Sequence, residues 1–448
     1  MDLNKQDIAN QIERSKDDLL NDYKTIVESP SISALQSHKP YIKETAEIAV
    51  RLIEKHGGQA QIIPTSGNPV VYGKIENDPQ AETIAIYNHL DVQPAEKGKD
   101  GWTRDPFDFT FDKGRFYSRG ATDDKGPAMT ALWAASIAKT LGAKTNVEFI
   151  WELEEEIGSP NFEDFLNKKV VTADNIVISD TIWASDTQPA MSMSLRGNVA
   201  AIVKLEVGTK DVHSGMAGGP ARNPLSELSE LIAKCVDKQG NITIPGFEDT
   251  WTPISEQEKA GYIQSGFSID YFKRAHGLTS LRSNDPLDIM EAVWAKPTFE
   301  VHGIVGGYQG EGVKTVVPPR AEAKISFRVV PGQDPDKVYD LFAAYAKQII
   351  PDCTLEKERA AQPFSCNLET PLIPKIEDAI EFGFGKRPVK IREGGSIGAI
   401  VSMQNIIQKP IGFLGISLPE DSYHGPDESF AWQQMQGGVY AFTHLFCK

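Results

Sequence analysis

Four short segments of this chain each end at a side chain that can bind a metal ion, and this pattern constrains the fold more than any other. Most are apolar and bounded by glycine or polar residues, which is typical of buried β-strands. The segments and their following residues are 83–87 with His89 and Asp91, 119–122 with Asp123, 146–151 with Glu155 and Glu156, and 175–179 with Asp180. Ligands of open α/β sheets bind at the carboxyl ends of the strands. One histidine with several carboxylates at such ends is the composition of a hydrolytic metal site.

The order of the predicted elements divides the chain into two domains, which a length of 448 residues also favours. Residues 197–364 follow the order β-α-β-β-α-β, with a polar insertion at 240–296, and this order is typical of ferredoxin-like domains. Helices and strands alternate before and after this segment. We therefore expect an α/β fold with an inserted ferredoxin-like α+β domain. Residues 1–196 and 365–448 would form a discontinuous catalytic domain, in which helices cover both faces of a mixed sheet. The final helix is predicted over residues 428–446.

Composition argues against several classes of partner. The chain has 46 Lys and Arg against 62 Asp and Glu, a formal net charge of −16, which disfavours nucleic acid and anionic membrane surfaces. No apolar run approaches the roughly 20 residues needed to span a bilayer, and the N-terminal residues show no hydrophobic signal core. The four cysteines form no CxxC pair, which favours reduced thiols. We expect a cytoplasmic protein that binds neither nucleic acid nor membranes.

Five of the candidate residues can be arranged around two divalent ions. Two ions held close together need a bridging carboxylate, and each ion needs further nitrogen or oxygen ligands. Asp123 is placed to bridge. His89 and Asp180 would complete the ligands of one ion, and Glu156 those of the other, together with His424 in the loop before the last helix.

Two further carboxylates suit supporting roles. Asp91 follows His89 by two residues, so on an extended chain both side chains point the same way. A carboxylate beside a ligating imidazole fixes its tautomer. Glu155 and Glu156 are adjacent and point in different directions, so one can bind metal while the other reaches the attacking water as general base.

The order of these motifs resembles the di-zinc metallopeptidase family that includes carnosinase, cysteinylglycine dipeptidase, carboxypeptidase G, aminoacylase and succinyl-diaminopimelate desuccinylase. The resemblance covers nearly the whole chain, and its later segments look most like the carnosinase-like dipeptidase branch. The matching segments are 89–94, 120–127, 155–159, 179–180, 211–215, 314–318, 326–331 and 392–396.

The resemblance implies a role for each matching position of the catalytic domain. It implies the same five metal ligands, with Asp123 bridging, and it makes Asp91 and Glu155 the catalytic carboxylates. The family often has a cis peptide after the bridging aspartate, which would be Asp123–Asp124 here. The implied cofactors are two divalent ions, zinc as the first choice and manganese as the alternative.

The resemblance also implies substrate contacts and an assembly. His213 matches a histidine of the inserted domain that stabilises the oxyanion and commonly reaches into the partner subunit's site. Thr315, Arg328 and Ser396 match positions that hold the carboxylate end of the substrate, and the planar fork of arginine pairs bidentately with a carboxylate. The inserted domain would act as lid and dimerisation domain of a homodimer.

These observations predict a metal-dependent hydrolase that cleaves the amide bond of dipeptides. An N-acyl amino acid amidohydrolase, or a carboxypeptidase that uses the same site, is the alternative. A non-catalytic binding protein on the same fold would have lost a ligand or the base, whereas all six of these positions are present. The chain contains no HExxH or GxSxG sequence, and its glycine-rich segment at 303–312 lacks the strand-to-helix context of a dinucleotide site. The expected partner is a small peptide or an N-acyl amino acid.

Overall fold

The computed structural model describes residues 3–448, apart from the side chain of Arg359. Its strands are β1 (Gln59–Ile63), β2 (Val70–Ile75), β3 (Thr83–His89), β4 (Thr110–Asp112), β5 (Arg115–Tyr117), β6 (Asn146–Glu152), β7 (Asn175–Ile178), β8 (Ala190–Leu195), β9 (Gly197–Glu206), β10 (Val212–His213), β11 (Thr298–Gly306), β12 (Val316–Val317), β13 (Arg320–Val329), β14 (Thr354–Ala361), β15 (Phe364–Ser365), β16 (Val389–Glu393), β17 (Ile411–Phe413) and β18 (Ser429–Ala431).

The α-helices occupy both the parts of the chain that alternate with strands and the insertion. They are α1 (Lys5–Val27), α2 (Lys39–Lys55), α3 (Lys125–Thr140), α4 (Phe162–Leu166), α5 (Ser214–Ala217), α6 (Pro224–Cys235), α7 (Glu256–Gln264), α8 (Ile269–Ala275), α9 (Pro286–Met290), α10 (Pro335–Ile349), α11 (Leu372–Phe384), α12 (Gly398–Ile406) and α13 (Trp432–Cys447). None of these helices, all within residues 3–448, combines the length and the apolar character needed to cross a bilayer.

The central sheet has six strands in the order β1-β2-β6-β3-β7-β17. Strands β6, β3, β7 and β17 are parallel, and β1 and β2 are antiparallel to their neighbours, so the sheet is mixed, as predicted. Every residue of β3 and β6 is buried. Because parallel strands end at the same edge, the residues that follow β3, β6 and β7 lie side by side there.

Helices cover both faces of this sheet. Alternate residues of β3 point to opposite faces: Ile84 and Ile86 belong to a core with α1, α2, α3, α11 and α13, and Ala85 and Tyr87 belong to a core with α4 and α12. Thirteen of the sixteen residues of α3 are buried, which fits its Ala-rich sequence. Since α3 begins directly after the Asp123 loop, this packing anchors the loop.

A second sheet contains four antiparallel strands in the order β11-β13-β9-β14. With α6 and α10 between its strands, the chain order is β-α-β-β-α-β, and Leu228, Phe327 and Phe342 lie in the core between helices and sheet. This is the predicted ferredoxin-like arrangement. After it, β16 pairs with β8 and β17 pairs with β7, so the last part of the chain rejoins the α/β part.

The predicted final helix was wrong at its start. Helix α13 begins at Trp432, and Ser429–Ala431 form strand β18 instead. This strand pairs antiparallel with β5, and Phe430 is fully buried. The sheet pairing and the burial of Phe430 therefore outweigh the local helical pattern at residues 428–431.

Candidate metal centre

The carboxyl edge of the central sheet carries three of the predicted ligands. His89 is the last residue of β3, Asp180 follows β7 by two residues, and Glu156 lies in the 3-10 turn after β6. The other two ligands come from loops. Asp123 precedes α3, and His424 precedes β18. Far-separated parts of the chain therefore converge at one edge.

The five predicted ligands form two groups that share Asp123. In the first group, His89 Nε2 lies 3.0 Å from Asp123 Oδ1 and 3.8 Å from Asp180 Oδ2. In the second group, His424 Nε2 lies 3.1 Å from Asp123 Oδ2 and 3.2 Å from Glu156 Oε2. Within each group the candidate ligand atoms all lie within 4.8 Å of one another. Asp123 thus turns one oxygen toward each group, which is the arrangement of a bridging carboxylate.

These donors suit divalent cations. Ligand atoms of a tetrahedral zinc ion, each at 2.0–2.2 Å from the metal, lie about 3.4 Å apart, close to the separations in both groups. Burial raises the pKa of the Asp180 carboxyl to about 7. Hydrogen bonds to Asp123 and Glu156 raise the pKa of His424 to about 11. The site therefore concentrates negative charge away from water, and a bound cation would offset that charge.

Asp91 holds His89 from the side opposite the ligands. His89 Nδ1 lies 3.0 Å from the backbone oxygen of Asp91 and 3.6 Å from its Oδ1. When Nδ1 carries the proton and donates it to Asp91, Nε2 is unprotonated and can coordinate a metal ion. A hydrogen bond to the other ring nitrogen commonly fixes the tautomer of a metal-binding histidine in this way. Asp91 is fully buried, and its two carboxylate oxygens accept the backbone N–H groups of Glu155 and Glu156.

Glu155 is the predicted base, and its carboxylate is not engaged elsewhere. Among residues 3–448, no hydrogen bond or ion pair holds that carboxylate, whereas the neighbouring Glu156 contacts His424 and accepts from Gln93 Nε2 at 2.7 Å. Burial raises the pKa of the Glu155 carboxyl well above its usual range. The two adjacent glutamates therefore differ in their contacts: Glu156 is held by His424 and Gln93, and the Glu155 carboxylate is not.

The predicted cis peptide is present between Asp123 and Asp124. Asp124 belongs to neither ligand group, and its Oδ2 accepts from Asn88 Nδ2 at 2.7 Å and from the backbone N–H of His89 at 3.3 Å. Two charged residues that sequence reasoning missed lie close by: Arg119 and Glu428 form an ion pair at 2.8 Å in which both side chains are almost inaccessible to solvent. Their positions in the sequence could have indicated them, because Arg119 precedes the loop of Asp123 and Glu428 follows the loop of His424.

Arg328 and Ser396 form a second cluster. Arg328 Nη1 donates to Ser396 Oγ at 3.1 Å, and no carboxylate within residues 3–448 forms an ion pair with this guanidinium. The neighbouring Arg196 is held by the backbone, since its Nε and Nη1 donate to the backbone oxygens of Gly394, Ala292 and Lys296. Arg328 is therefore available for an acidic ligand.

His213 and Thr315 lie close to each other in the inserted part of the chain. They sit at the paired ends of β10 and β12, where Ser214 N–H donates to the Thr315 carbonyl at 3.0 Å. Both residues are exposed, and in the described part of the chain no bond connects His213 with a predicted ligand. Within residues 3–448, neither His213 nor Thr315 therefore forms a hydrogen bond or ion pair with a predicted ligand.

The family of this chain follows from comparison with known proteins. A family model described as peptidase family M20/M25/M40 matches residues 85–448. This chain belongs to that family. Among curated relatives, the Beta-Ala-His dipeptidase of Rattus norvegicus is 32% identical over 390 residues, which cover 84% of this chain and 79% of that protein. The Cys-Gly metallodipeptidase of Schizosaccharomyces pombe is 31% identical over 461 residues, covering 97% of this chain and 95% of that protein.

Solved structures agree with this membership of the M20/M25/M40 family. Human carnosine dipeptidase 1 superposes with a TM-score of 0.87 at 26% identity, covering 99% of this chain and 98% of that one. The M20 family metallo-carboxypeptidase of Sulfolobus solfataricus gives 0.85 at 29% identity, covering 96% and 98%. The similarities confirm the predicted family, its dipeptidase branch, the fold class and metal-dependent dipeptide hydrolysis as the class of activity. The roles of individual residues and the domain boundaries stay predictions.

Proposed function

We propose that this chain cleaves the amide bond of dipeptides with two divalent ions, zinc or manganese, held in the two groups that share Asp123. His89, Asp123 and Asp180 would hold one ion, and Asp123, Glu156 and His424 the other. The observation that carries this proposal is that Asp123 turns its two oxygens toward different histidines, at 3.0 and 3.1 Å. A single-ion site would not need a carboxylate shared in this way.

The ions would supply Lewis acidity, which polarises the scissile carbonyl and lowers the pKa of the attacking water. The chain's own part is proton transfer and positioning. Glu155 would take the proton of the water and deliver it to the leaving amine, because its carboxylate is free while Glu156 is held. Asp91 would keep Glu155 in place through the backbone N–H of that residue, at 3.1 Å.

Arg328 and Ser396 would bind the free carboxylate of the dipeptide. The guanidinium is half-buried and forms no ion pair within residues 3–448. Removing an arginine side chain from water without a carboxylate partner is unfavourable. The carboxylate of the substrate would supply the missing partner of Arg328. This contact would select substrates by their carboxyl terminus.

His213 and Thr315 would act from a second copy of the chain. His213 Nδ1 accepts the backbone N–H of Gly215 at 3.0 Å, which leaves Nε2 free to donate to a developing oxyanion. Both residues are exposed, and within residues 3–448 neither forms a hydrogen bond or ion pair with a predicted ligand. We therefore propose that the chain forms a homodimer through an inserted domain of residues 197–364. We also propose that the protein is cytoplasmic.

A second candidate function uses the same site on other amides. The structure of the Sulfolobus solfataricus metallo-carboxypeptidase matches this chain as well as the dipeptidases do. A carboxylate-binding Arg328 would also accept the carboxyl end of a longer peptide or of an N-acyl amino acid. Recognition of the substrate's amino end therefore decides between these classes.

A substrate panel tests the proposal. The purified protein, stripped with chelator and reloaded with Zn²⁺ or Mn²⁺, is assayed on free dipeptides, N-acetylated amino acids and tetrapeptides. We expect metal-dependent turnover with the highest kcat/KM on free dipeptides. Higher kcat/KM on N-acetylated amino acids would establish the second candidate, and equal activity of stripped and reloaded protein would refute metal dependence.

A further inference from the structure

We propose that Glu428 and Arg119 are positioning residues that set the distance between Asp123 and His424 and thereby determine the affinity of the centre for its ions. The inference rests on the proposed function. Neither residue touches a ligand side chain. They act on the backbone of the two loops that deliver Asp123 and His424.

Glu428 binds the loop before Asp123 with both carboxylate oxygens. Its Oε1 accepts the N–H groups of Thr122 and Asp123 at 2.9 and 3.1 Å. Its Oε2 accepts the N–H of Gly120 at 2.9 Å and Nη1 of Arg119 at 2.8 Å. A fully buried carboxylate with four donors is a strong, directional anchor. It fixes the backbone amide of the bridging residue itself.

The loop has the shape that this anchor requires. Gly120 has φ +84°, and a Cβ at this position would lie 2.8 Å from a methyl group of Val92. Only glycine adopts this conformation in this space without displacement. The chain can therefore turn its N–H groups at 120, 122 and 123 toward one carboxylate.

Arg119 extends the anchor to the other ligand loop. Its Nη2 donates to the backbone oxygens of His424 and Gly425, at 3.3 and 3.2 Å. The guanidinium also stacks on the Trp102 ring, with Cζ 5.1 Å from the ring centroid, which restricts its orientation. One ion pair thus connects the Asp123 backbone to the His424 backbone.

This connection predicts different effects for the two residues. Glu428 acts on Asp123, which both groups share, so altering Glu428 weakens the binding of both ions. Of the two residues, Arg119 is the one that reaches the carbonyl of His424. Altering Arg119 therefore mainly weakens the binding of the ion in the second group. Partners behind the ligands of metal sites typically change metal affinity by about 10- to 100-fold when mutated.

Titration of metal-free protein with Zn²⁺, in competition with a chromophoric chelator, tests the proposal. Glu428→Gln places an amide N–H₂ against at least one backbone N–H, and we expect both dissociation constants to rise about 10- to 100-fold. Arg119→Lys keeps the positive charge beside Glu428 but loses the fork that reaches His424. We expect one dissociation constant to rise by a similar factor and the other to change less than about threefold.

Glu148→Gln is the matched control. Glu148 is fully buried and accepts from the backbone N–H of Thr172 at 3.0 Å, at the end of β6 opposite the metal centre. This control is expected to lower the thermal unfolding temperature without changing either Zn²⁺ constant. Should Glu428→Gln not fold, Arg119→Lys alone carries the test.

Unchanged constants in Glu428→Gln and Arg119→Lys, together with a lowered unfolding temperature, would reduce the pair to a structural role and overturn the proposal. A wild-type protein that takes up neither Zn²⁺ nor Mn²⁺ would overturn the proposed function and the role of the pair with it. The titration of the wild-type protein therefore distinguishes the two failures.

Discussion

Asp91 and Glu155 are 64 residues apart in the chain, and the Asp91 carboxylate accepts the backbone N–H of Glu155 at 3.1 Å. Its second oxygen accepts the N–H of Glu156, also at 3.1 Å, and the same side chain lies beside the imidazole of His89. One buried carboxylate thus positions a predicted base and two predicted ligands. The chemistry of the site therefore depends on residues that need not touch the substrate.

Replacing Asp91 by Asn should impair both metal binding and turnover. The amide can accept only one of the two backbone N–H groups, so the turn at Glu155 and Glu156 shifts. We expect Zn²⁺ affinity to fall about 10- to 100-fold, with a parallel loss of kcat. The Zn²⁺ titration measures the first effect and dipeptide turnover the second. Asp164→Asn is the control, because it changes a carboxylate that accepts one backbone N–H, that of Ser66, through an exposed hydrogen bond, and it should change neither quantity. Full Zn²⁺ affinity in Asp91→Asn would remove Asp91 from this role.

Replacing Glu155 by Gln should separate catalysis from metal binding. The amide cannot take a proton, so kcat should fall about 10²- to 10⁴-fold, the usual contribution of a general base. Both ions should remain, because this carboxylate does not belong to either ligand group. Metal content and kcat are measured on the same preparation, with the exposed Glu44→Gln as control. Turnover within tenfold of the wild-type rate would exclude Glu155 as the base.

Arg328→Ala should weaken the binding of substrates that carry a free carboxylate. Losing a hydrogen-bonded charge contact removes about 1.5–3 kcal/mol, which is about 10- to 150-fold in kcat/KM. This loss of kcat/KM should come mainly from a higher KM. A dipeptide amide lacks the carboxylate, so its already low kcat/KM should hardly change. An equal loss on the dipeptide and on its amide would contradict carboxylate recognition by Arg328.

Mixing two inactive variants should locate the action of His213. If His213 completes the partner's site, a heterodimer of Glu155→Gln and His213→Ala holds one intact site and one doubly altered site. After subunit exchange, about a quarter of wild-type activity should return at equal concentrations. If His213 acts within its own chain, every site carries one defect and the mixture stays inactive. Different affinity tags on the two variants, both retained on one dimer after sequential purification, show that subunits have exchanged.

The sequence was most informative where function depends on local order. The strands that end at His89 and before Asp180 were predicted because their apolar runs and the ligands that follow are adjacent in the chain. Parallel pairing then brings those ends together without further information. Asp123 was predicted as bridging from its residue type and position, and the structure shows both of its oxygens directed at histidines.

Long-range pairing limited the prediction. Residues 428–431 have the local pattern of a helix start, yet they pair with β5 more than 300 residues earlier in the chain. The same pairing buries Glu428 next to Arg119, and a sequence alone does not reveal that two distant charges neutralise each other. The placement of His213 is limited in another way, since its proposed target lies on a second chain.

Crystals of the protein grown with Zn²⁺, with data collected at the zinc absorption edge, would show directly whether Asp123 bridges two ions. We expect two anomalous peaks about 3.5–4 Å apart, one beside Asp123 Oδ1 and His89 and the other beside Asp123 Oδ2 and His424. A single peak, or peaks that do not contact Asp123, would contradict the shared carboxylate and the two-ion mechanism built on it.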